Sequence, residues 1–160
     1  AVVSDTHGLL RPRVPELLAG CDRILHAGDI GGIGGIGGMG GDGTGAAEIL
    51  ARLRRIAPLL AVRGNTDTGA AAELPAWLAG DLDGLPFHLV HRREDVDPAW
   101  LRASRLVVFG HSHRPELEWR GSCLLLNPGS CGPKRFDLPL TLAILRVSGN
   151  RLTPEILAVE

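Results

Sequence analysis

The sequence predicts a single α/β domain, residues 1–160, built on mixed β-sheets. Short apolar runs rich in β-branched residues recur along the chain, as strands buried on both faces do. Helical patterns alternate with them early, and only strand-like runs follow later, which places parallel and antiparallel pairing in one domain.

Taken in order, AVVSD (1–5) reads as the first strand and PRVPELLA (12–19) as a helix with Pro near its start. RILHAGD (23–29) is the second strand. GAAEILARLRRIA (45–57) is a helix with Ile49, Leu53 and Ile56 on one face and arginines elsewhere. LLAVRGN (59–65) is the third strand. In 76–91, Asp83-Gly84 sits between two strand-like runs and predicts a hairpin whose second arm is PFHLVH (86–91). PAWLRAS (98–104) is a short helix, and RLVVFGH (105–111) is the next strand. CLLLNPGS (123–130), LTLAILRVSG (140–149) and RLTPEILAV (151–159) predict a closing set of antiparallel strands, with Gly149-Asn150 as a turn.

Bulk composition narrows the function classes. Hydrophobic residues make up 44% and charged residues 22%, as in a globular protein with a proper core. A net charge of −1 gives no basic footprint for nucleic acid or an anionic membrane. Aromatic content of 4% also disfavours stacking on single strands. No apolar run approaches the roughly 20 residues a bilayer span needs. Cys21, Cys123 and Cys131 are scattered and outside any CxxC spacing, so they are expected to be reduced, packed thiols in a cytoplasmic protein. The chain opens on AVVSD without an initiator Met or signal-peptide pattern, and the first strand is expected to be clipped by a few residues.

The chemistry gathers at strand ends. Five strand-like runs each end on a metal-capable side chain: Asp5 with His7, Asp29, Asn65, His91, and His111 with His113. Singly, D-x-H or H-x-H in a loop is more often a solvated turn, Asp29 would serve as a helix N-cap, and Asn65 as a turn residue. Jointly they converge, because ligands of open α/β sheets bind at the carboxyl ends of strands. His26 and His88 fall outside the pattern and are read as core or strand residues. Mixed carboxylate, amide and imidazole donors suit Mn, Fe, Zn or Ni better than Ca or Mg. Seven donors are too many for one tetrahedral zinc and suit two divalent ions sharing a carboxylate, roughly 3.5–4 Å apart. Such a pair lowers the pKa of a bridging water and clamps both oxygens of an in-line displacement, so the nucleophile is hydroxide and no nucleophilic Ser or Cys is required.

SDTHG, HAGD, VRGNTD, LVH, GHSHRP and NPGS, in this order, resemble the calcineurin-like metallophosphoesterases, and most of all their small bacterial YfcE-like phosphodiesterase branch. The resemblance runs from Val2 to about Val147. It implies a four-layer α/β/β/α sandwich of two mixed sheets flanked by helices. It also implies that Asp5, His7 and His113 hold one metal, that Asn65, His91 and His111 hold the other, and that Asp29 bridges them. Asp29, Asn65 and His91 would then be the catalytic centre, with Mn²⁺ the leading metal. The implied activity is metal-dependent hydrolysis of a small phosphate ester, a phosphodiester first, by a metal-bridging hydroxide. Cyclic nucleotides, dinucleotides, nucleic-acid ends and small phosphodiesters all fit, and a homo-oligomer is compatible.

Two positions depart from the family pattern. Thr66 stands where the wider superfamily has a histidine that protonates the leaving group, a departure shared by the small-phosphodiesterase branch. His91 is followed by Arg92-Arg93 in place of a glycine. Arg93, Arg11 and Arg114 lie beside donor motifs and are expected to meet substrate phosphate, since guanidinium forks match phosphate oxygens. Asp67 is expected to support a ligand histidine by hydrogen bonding, and Asn127 to shape the loop behind His113. The alternative reading is a non-catalytic metal-binding scaffold, because a retromer scaffold subunit resembles the same fold. Scaffold relatives tend to have lost site histidines, whereas this chain keeps all seven donors.

Residues 31–45, GGIGGIGGMGGDGTG, carry no Lys-Ser or Lys-Thr for a P-loop and no dinucleotide fingerprint spacing. They read as a glycine-rich insertion lengthening the loop after Asp29, with a mobile flap over substrate as one expectation and a neutral expansion as the other.

Overall fold

A computed structural model describes residues 1–32 and 45–160; the glycine-rich insertion falls outside the described residues over 33–44. Among the described residues the ten strands are β1 (Val2–Val3), β2 (Ile24–His26), β3 (Leu59–Ala61), β4 (Trp77–Leu82), β5 (Leu85–Val90), β6 (Leu106–Val108), β7 (Pro115–Arg120), β8 (Cys123–Pro128), β9 (Thr141–Ser148) and β10 (Arg151–Ala158). The helices are α1 (Arg13–Leu18), α2 (Ala46–Ile56) and α3 (Trp100–Ala103).

The strands form two five-stranded sheets, ordered β10-β9-β1-β2-β3 and β4-β5-β6-β8-β7. In the first, β1, β2 and β3 run parallel and β9 pairs antiparallel with β1. In the second, β5, β6 and β8 run parallel, with β4 and β7 as antiparallel edges. Strand alternation builds the layers. Val2, Leu25, Phe87, Leu89, Leu106, Val108, Leu124 and Leu126 point inward into one core between the sheets. Val3, Ile24 and Ala61 point outward and pack on Val14 and Leu18 of α1 and on Ile49, Leu50 and Leu53 of α2. On the far side, Val107, Cys123 and Leu125 meet Trp100 and Leu101 of the short α3. The order of layers is therefore α/β/β/α.

The β4–β5 hairpin turns at Asp83-Gly84, whose φ values of 53° and 89° are those of a type I′ two-residue loop. Two expectations are corrected. The closing strands do not form one antiparallel set: β8 joins the second sheet parallel to β6, and only β9 and β10 pair as a hairpin. The strand β7 was not predicted at all. Its sequence PELEWR alternates charge with bulk on a half-exposed edge, where no continuous apolar run is needed. The three cysteines are free thiols, with Cys123 and Cys131 buried. No helix among the described residues is long and apolar enough to cross a membrane.

Candidate metal centre

The parallel strands of both sheets deliver their C-terminal ends to one rim, and each predicted donor lies in the loop just beyond one of them. Five of these residues have left-handed backbone: Asp5 (φ 55°), His7 (44°), Asp29 (53°), His111 (68°) and His113 (59°). Non-glycine residues rarely adopt this region, and here it swings side chains off the strand direction toward a common point. The surrounding backbone holds the loops in register. Asp5 N donates to Gly28 O (3.0 Å), His7 N to Asp29 O (3.0 Å) and Gly110 N to His91 O (2.9 Å).

The donors fall into two groups, Asp5 with His7 and His113, and Asp29 with His91 and His111, each with its ligand atoms within 4.8 Å of one another. In the first, His7 Nε2 and His113 Nε2 are 3.2 Å apart, and they lie 3.7 and 3.3 Å from Asp5 Oδ1. In the second, Asp29 Oδ2 is 3.4 Å from His91 Nε2, and Asn65 Oδ1 is 3.1 Å from that same nitrogen. Asp29 Oδ2 is also 3.9 Å from His7 Nε2, so this carboxylate stands between the groups.

The hydrogen bonds define which atoms remain for a ligand. Asp5 Oδ2 accepts from Ser4 Oγ (2.6 Å) and His111 N (3.1 Å). Its Oδ1 is buried without a hydrogen-bond partner. Asp29 Oδ1 accepts from Thr66 N (2.9 Å), leaving Oδ2 toward the histidines. His91 Nδ1 lies 2.6 Å from Ala27 O, which can only accept, so Nδ1 carries a proton and Nε2 is the ring atom turned to Asp29 and Asn65. A buried, partnerless carboxylate oxygen facing two imidazole nitrogens fits a divalent cation, since an unpaired buried charge is otherwise costly.

Electrostatics keeps the acids ionised. Burial opposes charge on Asp29, yet the His91 ring and the Thr66 amide hold its carboxyl well below the usual range. Burial likewise opposes charge on Asp5, and the His113 ring and Ser4 hydroxyl overcome it. Burial alone would push His91 down, but the Asp29 carboxylate raises it. His7 is lowered, by burial first and in part by the Arg135 guanidinium, against the pull of Asp5.

Asp67, Arg11 and Arg93 differ from expectation. Asp67 does not pair with a histidine. Its Oδ1 accepts from Ile30 N (2.7 Å) and Gly31 N (2.9 Å), and its Oδ2 from Gly64 N (2.7 Å), so it ties the loop after Asp29 to the loop before Asn65. Arg11 donates to Gly132 O (2.7 Å) and pairs with Glu160. Arg93 pairs with Glu116 and Glu118 of β7 and lies 5.3 Å over the Phe109 ring. Neither guanidinium is directed at the donors. Arg114 is exposed beside His113, its amide donating to Ser112 Oγ (3.3 Å). Asn127 shapes the His111–His113 loop, its Nδ2 donating to Gly110 O (2.8 Å) and Ser112 Oγ (3.1 Å). The cation that does reach the donors is Arg135, with Nη2 3.4 Å from His7 Nε2. Sequence reasoning overlooked it, and the only signal was a Lys-Arg pair shortly after NPGS.

Comparison with known proteins follows the same lines. The model of the calcineurin-like phosphoesterase superfamily domain matches residues 1–150. A probable metallophosphoesterase of Methanothermobacter thermautotrophicus is 29% identical over 98% of this chain and 90% of its own length. The phosphoesterase YfcE from E. coli superposes with a TM-score of 0.68 and 26% identity, covering 99% of this chain and 98% of that one. Vps29 from Entamoeba histolytica shares the fold, with a TM-score of 0.70 at 18% identity over 98% of this chain and 97% of its own.

Proposed function

This chain belongs to the calcineurin-like phosphoesterase superfamily, and from that premise we propose that it hydrolyses phosphate esters, phosphodiesters in preference to monoesters, using two divalent metal ions. The observation that carries the reading is the convergence of seven donors from two sheets on one rim, with Asp5 Oδ1 buried and unpartnered among imidazoles. Asp5, His7 and His113 would hold one ion and Asn65, His91 and His111 the other, with Asp29 Oδ2 shared between them. When bound, such a pair supplies Lewis acidity that turns water into the nucleophile at neutral pH and neutralises charge on the phosphoryl group.

The chain's own residues do the positioning. The Asp29 carboxylate is held ionised and aimed by the Thr66 amide, and His91 is locked in one tautomer by Ala27 O. The Thr66 hydroxyl is too weak an acid to replace an imidazolium in protonating a departing alkoxide, which favours esters with good leaving groups. The donor chemistry suits Mn, Fe, Zn or Ni, and the family resemblance puts Mn²⁺ first among them. The expected test is that Asp29→Ala or His91→Ala abolishes Mn²⁺-dependent hydrolysis of bis(p-nitrophenyl) phosphate while circular dichroism stays native. Unchanged turnover in both variants rejects the reading. The Vps29 likeness carries the scaffold alternative. Less than one transition metal per chain after purification, not recovered by added Mn²⁺, would favour it.

A further inference from the structure

The loop that carries Arg135 follows β8 and leads into β9, and a bridge between Ser130 and Leu140 closes its base. The start of this loop is clamped to the Asp5 segment. Ser130 Oγ donates to Asp5 O (3.0 Å), Cys131 N donates to Ser4 O (3.3 Å), and Arg11 Nε donates to Gly132 O (2.7 Å). Gly132 lies so close to the carbonyls of Asp5 and Thr6 that any Cβ there would overlap them. Arg135, exposed and just beyond this clamp, is therefore held over the first donor group, with Nη2 3.4 Å from His7 Nε2. Among the described residues no carboxylate pairs with it.

A guanidinium is donor-only and permanently charged. The lone pair it meets on His7 is the one His7 would give to a metal, so the two contacts exclude each other, and the cations repel as well. With metal bound, Arg135 loses this partner while its anchored loop keeps it at the mouth of the site. An ester brought to the metals carries its phosphoryl oxygens to that mouth, and two of those oxygens match an arginine fork. We infer that Arg135 is a substrate-phosphate ligand that rests on His7 in the metal-free protein and transfers to the phosphoryl oxygens once metal and ester are bound. The inference rests on the phosphoesterase reading above.

Arg135→Ala should raise KM for bis(p-nitrophenyl) phosphate about tenfold and weaken orthophosphate binding to the Mn²⁺-loaded protein about tenfold, with kcat changed less than about threefold. Calorimetry on the metal-free protein should show Mn²⁺ binding more tightly in the variant, because a competing cation has gone; a purely structural role would weaken it. Arg135→Lys should fall between the two. KM and orthophosphate affinity within about twofold of wild type, or Mn²⁺ affinity falling with them, overturns the inference and leaves the phosphoesterase reading in place. A wild-type protein that hydrolyses no ester yet binds orthophosphate through Arg135 overturns the enzyme reading and upholds the anion site.

Discussion

Gly64 is a residue whose identity the centre dictates. A Cβ at this position would run into Asp29 Oδ1 and the Asp29 amide nitrogen, so the loop before Asn65 can approach the Asp29 carboxylate only as glycine. Gly64→Ala should displace Asp29 and lower kcat about a hundredfold, the scale expected of an ångström's misplacement. Metal content measured on the same samples should fall with it. His26 governs acid stability instead. It is fully buried and pushed down to about 4, by burial above all. Thr6 Oγ1 donates to Ile30 O (3.0 Å) and so accepts from His26 Nε2 (3.0 Å), while Gly28 N donates to His26 Nδ1 (3.2 Å). The ring is thus neutral in the fold and bridges the Asp5 and Asp29 loops. Because the unfolded chain binds this proton near pH 6.5 and the folded chain only near 4, stability is full above 6.5 and declines as pH falls toward 4, by up to roughly 3 kcal/mol. Denaturant midpoints of the metal-free protein at pH 7 and pH 4 should show that loss, and His26→Gln should reduce it. An undiminished loss in the variant would assign the acid sensitivity to other groups.

At the scale of elements, the edge strand β7 draws Arg93 away from the site. With its guanidinium engaged by Glu116 and Glu118, Arg93→Ala should leave KM for a phosphodiester within about twofold of wild type, as expected for a peripheral ion pair. A large rise in KM would return it to the substrate. Strand order and donor placement differ in how far they could be read beforehand. The ends of β1, β2, β3, β5 and β6 were legible because an apolar run stopping at Asp, Asn or His is chemically conspicuous. The partner of β8 was not, because CLLLNP is apolar throughout and carries no mark of which sheet receives it. β7 lacked the run altogether. Asp67 and Arg135 were misread or missed for a related reason: an Asp that accepts backbone amides and an Arg that overhangs a site look like any loop Asp or surface Arg until the chain is folded.

Across the whole molecule, each donor group draws on both sheets. Asp5 and His7 of the first sheet meet His113 of the second, and Asp29 of the first meets His91 and His111 of the second. Metal binding should therefore act as a cross-link between the sheets. Mn²⁺ at a hundred times its Kd should add about 2.7 kcal/mol per site to unfolding stability. The gain should shrink as pH falls, since imidazole must be deprotonated to bind. Denaturant melts with and without Mn²⁺ at pH 8 and pH 6 would show both effects, and a midpoint indifferent to Mn²⁺ would argue against a shared centre. The left-handed backbone at Asp5, His7, Asp29, His111 and His113 sets a limit on how such a protein can be improved. Each of these side chains folds at a cost on the order of 1 kcal/mol that glycine would not incur. A library of this chain selected for heat resistance in a chelating medium should accumulate glycine or asparagine at these positions first, gaining robustness by dismantling its own chemistry.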